Sequence, residues 1–128
     1  MTRIALIGNP NSGKTTVFNA LTGTHQRVGN WPGVTVERKT GHYHHAGGEV
    51  EVVDLPGTYS LRAAGDAIDE LIARQYIAGE EAEILVNVLD ATTLRRGLYL
   101  TRELLEHQIP VIVALNMMDA AKSAGLDI

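Results

Sequence analysis

Eight consecutive residues, Gly8-Asn9-Pro10-Asn11-Ser12-Gly13-Lys14-Thr15, carry the spacing Gly-x-x-x-x-Gly-Lys-[Ser/Thr]. These residue types suit a polyphosphate. Glycines at both ends let successive backbone N–H groups curl around a phosphate, and a helix starting at Lys14 adds the positive end of its dipole. Lys14 sets an ammonium against the β- and γ-phosphates, and the Thr15 hydroxyl is placed to ligate Mg²⁺. The competing reading is a chance Gly-rich turn before a helix. A strand before, a helix after, and the lysine and hydroxyl in place make it the weaker one.

Three further elements lie downstream. Asp54-Leu55-Pro56-Gly57 closes an apolar run. An Asp at that strand end is suited to hold the Mg²⁺ hydration shell, and Gly57, without a Cβ, lets its N–H approach a γ-phosphate. Asn116-Met117-Met118-Asp119 closes another apolar run. A fixed Asp119 carboxylate accepts two N–H donors from guanine, a pair that adenine does not offer on the same edge. Thr35 lies between the first helix and the second strand. A threonine there coordinates Mg²⁺ and donates its backbone N–H to the γ-phosphate, in a loop that orders with triphosphate and relaxes after hydrolysis. Alone, Thr35 reads as a β-branched strand residue and Asp54 to Gly57 as a turn. The order of all four elements selects GTP or GDP as the ligand.

Apolar runs of strand length alternate with helical periods, which predicts an α/β domain with a mostly parallel sheet, a Ras-like P-loop core. Strands are expected at residues 3–7, 34–45, 49–55, 83–90 and 110–116, the last two central. Helices are expected at 14–21, 66–78 and 94–107, and 25–36 as a long loop. Gly47-Gly48 reads as the hairpin turn of the only antiparallel pair. Ile68, Leu71, Ile72 and Ile77 form the apolar stripe of the second helix. A sheet of this type normally continues with one more helix-strand-helix unit, so the 128 residues read as one G domain without its C-terminal part.

Net charge is −4, with a single Trp and a single Phe, so neither a basic surface nor stacking platforms point to nucleic acid. The chain has no Cys, which excludes disulfides and thiolate metal sites. No apolar run approaches the roughly 20 residues of a membrane helix. Nor does Met1 open a signal peptide, since Pro10 and Asn11 follow the first apolar run too closely. The segment is expected to be cytoplasmic.

The stretches Gly8 to Thr16, Gln26-Arg27-Val28-Gly29-Asn30-Trp31-Pro32-Gly33-Val34-Thr35-Val36-Glu37, Asp54 to Leu61 and Ala114 to Asp119 closely resemble the ferrous-iron transporter B family. The Val28 to Thr35 string is the most specific, since generic GTPases share only the threonine. The resemblance spans almost the whole chain. It implies a cytoplasmic G domain at the bacterial inner membrane, joined in one polypeptide to a helical domain and a membrane domain importing Fe²⁺. Oligomeric state is left open. It also implies nucleotide contacts from Asn9, Pro10, Asn11, Ser12, Gly13, Lys14, Thr15, Thr16, Gly33, Val34, Thr35, Asp54, Gly57, Asn116, Met117 and Asp119. Asn11, Lys14, Thr35 and Gly57 act in hydrolysis. Thr58 stands where Ras has its water-orienting glutamine, so intrinsic turnover should be slow. Met117 replaces the usual lysine, with a side chain able to pack over the purine. The resemblance suggests K⁺ as the substitute, held by the Asn11 side chain and the carbonyls of Gly29 and Trp31. Two alternatives stand beside this reading: a ribosome-assembly GTPase of the Era type, and a nucleotide-binding fragment without useful turnover.

Other residues are read more plainly. His42, His44 and His45 belong to a solvated hairpin, although His42 and His44 share a strand face as two metal ligands would. Trp31 is a loop plug that moves with the nucleotide, Asp90 caps the following loop, and Asp66, Asp69 and Glu70 suit a helix N-terminus.

Overall fold

The computed structural model describes residues 2–61, 67–117 and 125. Strand β1 (Thr2–Gly8) is buried from Ile4 to Gly8, as a strand covered on both faces must be. It leads to helix α1 (Lys14–Thr22), which stops at Gly23, whose N–H donates to Asn19 O. Strands β2 (Gln26–Asn30), β3 (Glu37–His45) and β4 (Gly48–Asp54) follow, then helix α2 (Ile68–Ala78). Strand β5 (Ile84–Asp90), a 3₁₀ turn (Ala91–Thr93), helix α3 (Leu94–Leu104) and strand β6 (Val111–Asn116) complete the order.

The six strands form one sheet in the order β2-β3-β4-β1-β5-β6. β4, β1, β5 and β6 pair in parallel, and β3 alone runs against its neighbours. Phe18 of α1 packs with Ile4, Leu6 and Val52 on one face. Ala5, Ile7, Val53, Leu55 and Leu85 face the other way, against Ile72, Ala73, Tyr76 and Ile77 of α2 and Leu100 and Leu104 of α3. Alternate residues of β1 thus feed two cores, the period-2 rule of a strand between layers. At the sheet centre, Asn87 of β5 is fully buried. Its Nδ2 donates to Ile7 O and its Oδ1 accepts from Thr101 Oγ1, so a polar side chain joins β5, β1 and α3.

Several expectations are corrected. Residues 26–30 are a strand rather than loop: Gln26 to Asn30 pair with Gly41 to Glu37, giving β3 a second antiparallel ladder. Their polar and glycine character hid this, because an edge strand needs only backbone partners on one side. The hairpin turn is Ala46-Gly47, with His45 opposite Gly48. β3 begins at Glu37, three residues later than expected, and α3 ends at Leu104. β6 is an edge strand among the described residues, with Ile112, Val113 and Leu115 exposed. On α2 the buried stripe is Glu70, Ile72, Ala73, Tyr76 and Ile77, while Ile68 and Leu71 are exposed. No described helix is long and apolar enough to cross a membrane.

Tyr76 sits edge-on to Trp31, ring centroids 5.9 Å apart. Burial, with Glu81 adding, pushes its phenol from 10.0 up to about 12. The unfolded phenol ionises first, so this contribution is intact below pH 10 and is lost as pH rises from about 10 toward 12, roughly 3 kcal/mol in all. Chemical denaturation across that range should show the decline, and Tyr76→Phe should flatten it; equal slopes would refute the assignment.

Candidate nucleotide site

The loop between β1 and α1 winds tightly. Ser12 N–H donates to Asn9 O at 3.1 Å, and Asn11 and Gly13 both take positive φ, 67° and 87°. Asn11 tolerates this conformation better than most residues, and Gly13 adopts it without strain. A Cβ on Gly13 would collide with Nδ2 of Asn116. That amide donates to Ser12 O at 3.2 Å, so the end of β6 braces the loop from behind. Sequence reasoning gave Asn116 to the nucleotide; its bond to the loop depends on β6 lying next to β5, which no local pattern reveals.

Lys14, at the first position of α1, donates from Nζ to Asp54 Oδ1 at the end of β4. Both side chains are only 11% exposed, so each charge depends on the other in a poorly solvated place. Asp54 reaches this position because β4 pairs with β1 in register, Leu6 opposite Asp54. Beyond it the chain crosses the loop: Thr58 N–H donates to Gly8 O at 3.0 Å, and a Cβ on Gly57 would lie 3.1 Å from Pro10. Only glycine passes there without displacing the loop. Thr58 is buried and its hydroxyl donates to Ser60 O, so it is not poised over a water.

A cavity of about 580 Å³ opens here. Asn9, Pro10, Asn11, Gly13, Lys14 and Thr15 form one wall; Gly57, Asp69 and Met117 form the other. Ser12 is buried beneath it, and its Oγ and Asn9 Oδ1 have no hydrogen-bond partner among the described residues. Thr16 is exposed on α1. Asp69 was read only as a dipole-matching residue; α2 places it in the first turn and against the cavity. Met117 takes φ 61° at the end of β6. Asp119, Met118 and Asp66 lie outside the described residues.

The segment expected to reach the γ-phosphate sits elsewhere. Gly33, Val34 and Thr35 form a turn closed by Trp31 N–H to Val36 O and Val34 N–H to Trp31 O, and none of them walls the cavity. Gly29 is in register with Arg38 on β3. Trp31 is the plug: 6% exposed, it packs into the α2–α3 core, with the Arg38 guanidinium 4.6 Å from its ring centroid.

Asp90 Oδ1 accepts from Thr92 N–H at 2.8 Å, capping the turn before α3. His44 and His45 are exposed, whereas His42 is half-buried against His25, ring centroids 5.0 Å apart. No group of three His, Asp or Glu among the described residues lies close enough to hold a metal ion.

A sequence profile described as ferrous iron transport protein B matches residues 2–128. The chain is 58% identical over 127 residues to the Fe(2+) transporter FeoB of Escherichia coli K12, covering 98% of this chain but 16% of that protein's length. It superimposes on the cytosolic domain of L. pneumophila FeoB with a TM-score of 0.93 at 56% identity, covering 97% of this chain and 54% of that one. A mutant S. thermophilus NFeoB bound to GDP gives a TM-score of 0.91 at 52% identity, over 100% of this chain and 49% of that one. Likeness of this closeness, in sequence and in backbone alike, makes the chain a member of the ferrous iron transport protein B family.

Proposed function

We propose that this chain binds guanine nucleotide, hydrolyses GTP slowly to GDP and phosphate, and regulates Fe²⁺ passage through a membrane portion of the same polypeptide. In that setting it lies on the cytoplasmic face of the inner membrane, with a helical domain between. The observation that carries the reading is the convergence of Lys14, Asp54, Gly57 and the β6 end on one phosphate-sized loop. GDP in the S. thermophilus relative supports it. The ribosome-assembly alternative draws no support from the family match.

In this reading, loop amides and Lys14 take the phosphates, and the charge growing on the leaving oxygen meets donors already fixed in place. The Lys14–Asp54 pair must open for this. Lys14 then turns to phosphate, leaving the Asp54 carboxylate free. Magnesium fits the hard oxygen donors at hand, Thr15 in the first turn of α1 and Asp54, with Thr35 joining once its turn rearranges. When bound, it would neutralise phosphate charge. Asp119 reads guanine and Met117 packs over it. Asn11, Lys14, Thr35 and Gly57 act on the transferred phosphate, the Gly57 N–H at the γ position. Thr58 is turned to Ser60 and so is not aimed at an attacking water, in keeping with slow turnover.

Potassium is the finer part of the proposal. Asn11 stands at the cavity, but Gly29 is held in the β2–β3 ladder and Trp31 O already accepts from Val34. Those carbonyls reach Asn11 only if Gly29 leaves its ladder with β3 and Trp31 leaves its turn.

Three outcomes test these statements. Titration should give tight GTP and GDP binding with ATP weaker by about a hundredfold or more, and Lys14→Ala should cost about two orders of magnitude in GTP affinity. A folded chain that binds neither guanine nucleotide ends the reading. Turnover should be several-fold faster in KCl than in NaCl at matched ionic strength, and equal rates would remove the cation. The single Trp, buried at Trp31, should shift its emission to longer wavelength with a non-hydrolysable triphosphate but not with GDP; identical spectra would mean that the 25–36 segment does not move with nucleotide.

A further inference from the structure

The chain leaving Gly57 is pinned to α3 by one carboxylate. Glu103 accepts from Ser60 Oγ at 2.8 Å through Oε1 and at 3.2 Å through Oε2, and Oε2 also accepts from Leu61 N–H at 2.6 Å. The Leu61 carbonyl accepts from Arg74 of α2 at 3.3 Å, and its side chain is buried in the core. One residue is thereby tied to both helices of that face. On the near side of Gly57's successor, Thr58 N–H holds Gly8 O at 3.0 Å. Residues 58–61 form a short span fixed at each end, and Glu103 supplies the charged acceptor at the far one. Glu103 does not wall the phosphate cavity; it lines a separate groove of about 620 Å³ with Tyr59, Ser60 and Arg96.

We propose that Glu103 is a positioning residue for GTP hydrolysis, holding the Thr58–Leu61 span so that the Gly57 amide stays aimed at the γ-phosphate. The inference rests on the GTPase reading above. Hydrogen bonds to an ionised acceptor are about twice as strong as neutral ones. Two donors from adjacent residues, Ser60 Oγ and Leu61 N–H, restrain both the position and the rotation of the span. Without them the far end rests on the Leu61 carbonyl's bond to Arg74 and the buried Leu61 side chain, which leave the Ser60–Leu61 peptide freer to turn, and the Gly57 N–H spends less time in a productive pose. GDP has no γ-phosphate, so its affinity is insensitive to this alignment. Glutamine at 103 still accepts from Leu61 N–H, and its amide donates to Ser60 Oγ once that hydroxyl turns round.

The test measures single-turnover GTP hydrolysis, GDP affinity and Tm for the wild type, Glu103→Ala and Glu103→Gln. Glu103→Ala should hydrolyse about five- to tenfold more slowly with GDP affinity within about twofold of wild type, and Glu103→Gln should recover most of the rate. An unchanged rate in Glu103→Ala overturns the proposal. So does a joint fall of rate, GDP affinity and Tm that glutamine does not rescue, since that marks simple structural support. A wild-type chain without turnover removes the GTPase reading itself, and this inference with it, which the wild-type rate alone distinguishes.

Discussion

The structure depends on a backbone turn that most residues resist. Between β1 and α1 the chain must reverse within a few residues, and it does so with positive φ at Asn11 and Gly13. That conformation strains a residue bearing a Cβ. At Gly13 the space a side chain would need is already taken by the Asn116 amide, which holds Ser12 O. The loop is therefore shaped by its own glycine and kept in shape by a strand about a hundred residues away. Parallel pairing of β1, β5 and β6 sets the distance between them.

Around this loop the molecule divides its labour by face. The α1 face carries packing: Phe18 on Ile4, Leu6 and Val52. The opposite face anchors the two segments that are proposed to meet the γ-phosphate. Trp31, ahead of Thr35, is seated against Tyr76 of α2, and Ser60 and Leu61, beyond Gly57, are held by Glu103 of α3. Neither anchor touches the phosphate cavity. Each holds its segment a few residues from the atom that would meet a γ-phosphate, Glu103 as a fixed tether and Trp31 as a plug that a triphosphate would draw out of the core.

The Lys14–Asp54 pair shows the cost of holding such a site ready. Two largely buried charges satisfy one another across the gap between α1 and β4. Leaving either alone would be expensive. In the proposed reading, a polyphosphate with its metal would offer both charges new partners at once, an anion for Lys14 and a cation for Asp54, so the exchange would be balanced in charge.

Much of this was legible in the chain. The phosphate loop, the Asp54–Gly57 strand end and the β1, α1, β4, β5 and β6 elements could be read because each is governed by local rules: glycine where the backbone turns, unbroken apolar runs where a strand is covered on both faces, a glycine stop after a helix. The β2 strand could not be read, because Gln26 to Asn30 have no apolar pattern and exist as a strand only through their register with β3. Asp69 at the cavity and Glu103 on α3 were equally hidden, since an acidic residue on a helix looks solvated until the partner across the fold is in place. Which residues are proposed to bear the chemistry is thus read from spacing along the chain. How Asn116, Asp69, Trp31 and Glu103 stand toward that chemistry was decided by the sheet order, because their partners are neighbours in space and distant in sequence.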